Sequence, residues 1–119
     1  MTDYRRQRVA DEIKRIIGEI FVKDIPPVGS TLVTVTNVRI SSDLREAKIY
    51  LSIFNEDLEI RRQEMKKIIA RSPYIRGLVG NRISLKYVPK LFFFEDDTLD
   101  YVDNIERLIQ SIHNEDRNE

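Results

Sequence analysis

Nine basic side chains punctuate the stretch from Arg61 to Lys90: Arg61, Arg62, Lys66, Lys67, Arg71, Arg76, Arg82, Lys86 and Lys90. A single acid, Glu64, stands among them. Cations gathered at that density suit a phosphate backbone. The whole chain holds 20 basic and 20 acidic residues, for a formal net charge of zero, so the block is offset elsewhere. Leu91 to Glu119 carries nine acids against Arg107 and Arg117. A neutral total thus conceals two poles. The plain competing account is a solvated helical hairpin kept soluble by its charges.

Other chemistries find little support. His113 is the only histidine and there is no cysteine. Triad-type nucleophilic catalysis, thiolate metal sites and disulfides are therefore not expected. No G-x-x-x-x-G-K-[ST] loop is present, which argues against nucleotide hydrolysis. Glu95, Asp96, Asp97, Asp100 and Asp103 form an acidic cluster. They lack the ligand spacing of an EF-hand loop, and a helix N-terminus attracts acids for its own dipole. No catalytic residue, metal or cofactor is expected. Gly77-Leu78-Val79-Gly80 spells GxxG, a backbone clamp in many nucleic-acid-binding domains. Its middle residues are apolar and in phase with Ile75. The spacing therefore places both glycines inside a helix, where small residues allow close approach to a sheet.

The elements that must carry the basic block follow from periodicity. Thr2 or Asp3 is expected to cap a first helix running to about Val22, with Val9, Ile13, Ile16, Ile17, Ile20 and Phe21 on one face. Arg5, Arg6 and Arg8 lie near its start, diluted by Asp11 and Glu12. Lys23 to Ser30 reads as a loop, and Thr31 to Ile40 as a β-branched strand. Ser41 to Leu44 is turn chemistry. Glu46 to Phe54 alternates: Ala47, Ile49, Leu51 and Ile53 face one way, Lys48, Tyr50, Ser52 and Phe54 the other. The two strands form an antiparallel hairpin. Tyr50 and Phe54 are read as cross-strand packing rather than base stacking.

Leu58 to about Arg71 is expected as a helix burying Leu58, Met65, Ile68 and Ile69. Pro73 to about Arg82 is a second, burying Ile75, Leu78 and Val79. Ser72 is the joint and N-cap, with Pro73 at the first helical position. Such a joint turns backbone N–H groups toward an anion. A third strand is expected over Ile83 to about Phe94, with Pro89 forcing a bulge or an edge position. A last helix to about Ile112 buries Leu99, Val102, Ile105, Leu108, Ile109 and Ile112.

The 119 residues suit one domain, placed at 1–112, with a polar, frayed tail over 113–119. The charged N-terminus is not a secretory signal, and no apolar stretch approaches the ~20 residues of a membrane span. A cytoplasmic protein is expected.

Particular residues carry a family likeness. They are Arg8-Val9-Ala10; Ser42-Asp43-Leu44 followed by Ala47 and Tyr50; Tyr74-Ile75-Arg76 with Gly80 and Arg82; and Tyr87-Val88-Pro89-Lys90-Leu91 running into Phe93-Phe94-Glu95-Asp96-Asp97. Over Tyr4 to Leu108 their order resembles the bacterial ribosome-binding factor A family. The resemblance implies an α+β fold: a single KH-like domain of type II topology, α-β-β-α-kink-α-β-α, with a three-stranded sheet and helices on one face. The family's helix-joint-helix usually carries an Ala-x-Gly kink, and here Arg71-Ser72-Pro73 stands in its place. The implied function is non-enzymatic. It is binding to the immature 30S small ribosomal subunit and its 16S rRNA, with help to rRNA processing and late maturation, including in the cold.

Together the residue reading and the resemblance give Arg71, Arg76, Arg82, Lys66, Lys67 and Lys86 as RNA contacts. Ser72, Arg5 and Arg8 complete the set. The expected partners are small-subunit rRNA and the 30S subunit, with no membrane, no small-molecule substrate and a monomeric state. The alternative from another class is a protein-interaction adaptor using the acidic C-terminal helix and an exposed sheet edge.

Overall fold

In the computed structural model, which describes residues 2–27 and 29–96, β2 is the middle strand of the sheet. The elements run α1 (Thr2–Lys23), β1 (Leu32–Ile40), β2 (Glu46–Phe54), α2 (Leu58–Ala70), α3 (Ser72–Arg82) and β3 (Lys90–Glu95). β1 pairs with β2 antiparallel, with Arg39 opposite Lys48 and Leu32 opposite Phe54. β3 joins the other edge of β2 in parallel, with Tyr50 beside Phe94. A parallel neighbour needs a crossover connection, and α2 with α3 supplies it. The last expected helix and the 113–119 tail lie outside the described residues.

Periodicity explains the layers. Ile13, Ile17 and Ile20 of α1 are fully buried, as are Ala47, Ile49 and Leu51 of β2. Ile68, Ile75 and Val79 bring α2 and α3 onto the same core. All three described helices therefore cover one sheet face, as the α+β reading required.

The hairpin turn is held by its own polar groups. The Ser41 hydroxyl donates to Asp43 Oδ1 at 2.7 Å, and the same oxygen accepts the Arg45 N–H at 3.1 Å. Leu44 sits at φ 60°, an unusual place for a branched side chain, while packing against the core.

Several expectations are corrected. α1 already includes Thr2 and Asp3, so neither precedes it as a cap. Leu58 and Ile69 are half exposed, and Glu64 is the side chain that α2 buries beside Ile68. The third strand starts at Lys90, not Ile83. Ile83 to Pro89 is irregular connection, and Pro89 is fully buried directly before the strand. A proline there removes no ladder donor, so no bulge is needed. Gly80 does mark a close approach: an added Cβ would lie 3.0 Å from Val88 Cγ2. Gly77 has open space around it and does not serve that purpose.

Candidate nucleic-acid interface

Arg71 is the single residue between α2 and α3, at φ −93° and ψ 7°. Its N–H donates to Lys67 O and Ile68 O, each at 3.1 Å, closing α2. Its carbonyl accepts the Ile75 N–H at 2.9 Å, opening α3. Two helices thus share one residue, and the chain turns without a loop. Ser72 is not the cap. It is already the first residue of α3, and its hydroxyl donates to Leu91 O at 3.2 Å, tying the joint to β3. α3 has no side-chain cap. The start of α3 is the positive end of its helix dipole, which favours an anion.

The cations sort into three places. At the joint, Lys66 and Arg71 are exposed, and the Arg71 guanidinium lies 5.2 Å from the centre of the Tyr74 ring. Lys67, one turn before Arg71, is half-buried with its Nζ 3.9 Å from Glu64 Oε1, so part of its charge is answered internally. On the next turns Arg76 Nη2 donates to Val88 O at 2.7 Å. That bond draws the α3–β3 connection alongside, with Lys86 and Tyr87 exposed on it. Lys86 Nζ lies 5.7 Å from the Tyr87 ring centre. At the far end Arg82 Nη2 is 2.8 Å from Asp24 Oδ2.

From Arg71 to Arg82 the helix rises about 16 Å, and its sequence, SPYIRGLVGNR, contains no acid. The joint cations and the Arg76–Lys86 group are thus exposed with no acid of α3 between them in the chain. Arg82 is least available to an outside phosphate, because Asp24 already holds it. Arg5 and Arg8 are exposed on α1 and line an open groove with Ile83, Ser84 and Leu85. They reach the same connection from the other side.

Sequence reasoning missed Tyr74 and Tyr87, which are 52% and 74% exposed beside these cations. For Tyr87 the available signal was its place directly after Lys86; Tyr74, between Pro73 and Ile75, gave none. It also missed the Arg82–Asp24 pair, which joins positions far apart in the chain.

Among the described residues, no helix is long and apolar enough to cross a membrane. No group of three or more His, Asp or Glu residues there could hold a metal ion. His113 and most of the acidic cluster lie outside the described residues.

A three-stranded α+β domain with a basic helix-joint-helix on its surface is thus the class that fold and site define. Residues 5–109 match the family model for ribosome-binding factor A. A ribosome-binding factor A from Clostridium botulinum strain Alaska E43 is 34% identical over 113 residues, covering 94% of this chain and 97% of its own. One from Moorella thermoacetica is 39% identical over 111 residues, covering 91% and 89%. Among solved structures, a Thermotoga maritima protein described as a putative ribosome binding factor A superposes with a TM-score of 0.65 at 23% identity. That match spans 80% of this chain and 90% of the other. A Thermus thermophilus ribosome binding factor A model, fitted into the cryo-EM map of a 30S complex, superposes with a TM-score of 0.59 at 20% identity, over 73% and 90%. The chain belongs to the ribosome-binding factor A family.

Proposed function

We propose that this protein binds the small ribosomal subunit through its rRNA and assists maturation of the subunit without catalysing a reaction. The observation that carries this reading is the exposed basic flank formed by Lys66, Arg71, Arg76 and Lys86 beside an α3 that has no acid. Family membership supports it, as does the Thermus thermophilus relative fitted to a 30S complex.

The contacts fall mainly on phosphates, which position a protein without reading sequence. Tyr74 and Tyr87 add flat surfaces next to the cations. The step assisted is rRNA processing and late 30S maturation, with the greatest demand in the cold, when misfolded rRNA is slowest to rearrange. The protein works as a cytoplasmic monomer. Co-sedimentation with purified small subunits at low salt tests the proposal. Retention with the subunit, and footprints on rRNA that follow Arg76 and Lys86, are the expected result. A chain that stays in the supernatant while capturing a protein partner through its sheet edge would favour the adaptor reading instead.

A further inference from the structure

The sheet face turned away from the helices mixes rings with cations in rows that cross all three strands. One row is Asn37, Tyr50 and Phe94; the next is Arg39, Lys48 and Phe92. Lys90 lies two residues before Phe92 on the same side of β3, and Phe54 closes the far end of β2. The Tyr50 and Phe94 rings stack with centroids 5.5 Å apart. Cross-strand packing accounts for that pair. It does not account for the ring surface left to solvent, since Phe94 is 42% exposed and Phe54 53%.

The cations of this face stand next to the rings. The Arg39 guanidinium lies 5.8 Å from the Tyr50 ring centre, and Lys90 Nζ lies 5.4 Å from that of Phe92. Lys48 has Arg39 as its neighbour on β1 and Phe92 as its neighbour on β3. Like charges directly opposite across two strands repel, so an anion between Arg39 and Lys48 relieves them. Two acids share the face among the described residues. Glu46 is paired with Lys90 in register, and Asp96 Oδ2 accepts the Thr36 hydroxyl at 2.6 Å. Neither lies between Arg39 and Lys48.

These features select the partner. A peptide that extends a sheet does so along a free edge, whereas β2, which carries Lys48, Tyr50 and Phe54, is paired on both edges. An amphipathic helix needs an unbroken apolar groove, which Asn37, Lys48 and Ser52 interrupt. An unpaired nucleic-acid strand needs ring faces for its bases and cations for its phosphates, interleaved.

We propose that this face is a second RNA-binding surface, for an unpaired strand whose bases stack on Phe94 and Phe54 and whose phosphates meet Arg39 and Lys48. It lies across the sheet from Lys66, Arg76 and Lys86 and does not depend on them.

The test is a titration of the full-length protein with an oligouridine of about eight nucleotides, within the usual site size for such surfaces, read from Tyr and Phe ring signals by NMR. Saturable shifts at Tyr50, Phe92 and Phe94 are expected. Phe94→Leu should weaken binding at least about fivefold through the lost stacking. Arg39→Glu with Lys48→Glu, both exposed, should weaken binding and flatten its salt dependence while the melting temperature holds. That pair of changes keeps the test decisive if Phe94→Leu disturbs folding. Changing Lys66, Arg76 and Lys86 to glutamate should leave the pattern of ring shifts in place, which separates this surface from the helical one. Shifts confined to α2 and α3 would overturn the proposal, as would ring signals that stay still. Equal ring shifts with duplex RNA or with polyglutamate would also overturn it, since the face would then hold anions without stacking bases.

Discussion

Arg82 Nη2 and Asp24 Oδ2 lie 2.8 Å apart and join the C-terminal end of α3 to the residue directly after α1. Both side chains are partly exposed, so the pair is worth about 0.2–1 kcal/mol. Asp24→Asn should lower unfolding stability by about that amount, read from urea denaturation, and should leave RNA affinity equal or slightly higher by freeing Arg82. A fall in affinity would show Asp24 shaping the RNA site itself.

Ser72 acts through Leu91, not as a cap. Ser72→Ala should cost about 0.5–1.5 kcal/mol, the usual net worth of a buried or half-buried hydrogen bond. Pro73→Ala should cost less, since the second position of α3 needs no N–H partner there. Calorimetry showing Pro73→Ala to be the larger loss would contradict this account of the joint.

The joint also shows which features the sequence made legible. A break between two helices followed from Pro73 and the apolar spacing around it, as the alternation of Ala47 to Ile53 announced β2. The element serving as hinge did not follow, because local rules favour serine as a cap and Leu91 O lies on a strand that only the fold brings near. The start of β3 was misplaced for a related reason: Ile83 to Val88 has strand-like composition, but it spends its apolar residues packing against α1 and α3. The availability of Arg82 depended on Asp24, a partner no local pattern reveals.

The two glycines of α3 should respond differently to alanine. Gly77 has nothing within 4 Å of an added Cβ, so Gly77→Ala should stabilise by roughly 0.8–1 kcal/mol through helix propensity. At Gly80 the new Cβ meets Val88 Cγ2 at 3.0 Å, which should cancel most of that gain. Combining Gly80→Ala with Val88→Ala should remove the clash, and double-mutant coupling measures it.

Asp43 responds to acid. The Ser41 hydroxyl, and next the Arg45 N–H, hold its carboxyl below the ordinary aspartate value of 3.8. A depressed folded-state pKa means that the turn's contribution is present above that ordinary value and is lost as pH falls through the folded one. As pH falls below that ordinary value, the protection of the Arg45 and Glu46 amides, measured against the intrinsic exchange rate at the same pH, should drop. Asp43→Asn, which keeps an acceptor without the charge, should flatten that pH dependence.

The most direct test is the salt dependence of binding to small-subunit rRNA. Three to five phosphate contacts predict a log–log slope of about −0.7 to −0.9 per contact. Changing Lys66, Arg76 and Lys86 together to glutamate should weaken binding and flatten the slope, with little change in melting temperature beyond the lost Arg76–Val88 bond. Changing Arg107 and Arg117 to glutamate should do little. If both sets weaken binding alike, attraction follows overall charge, and the basic flank of α2 and α3 is not the RNA site.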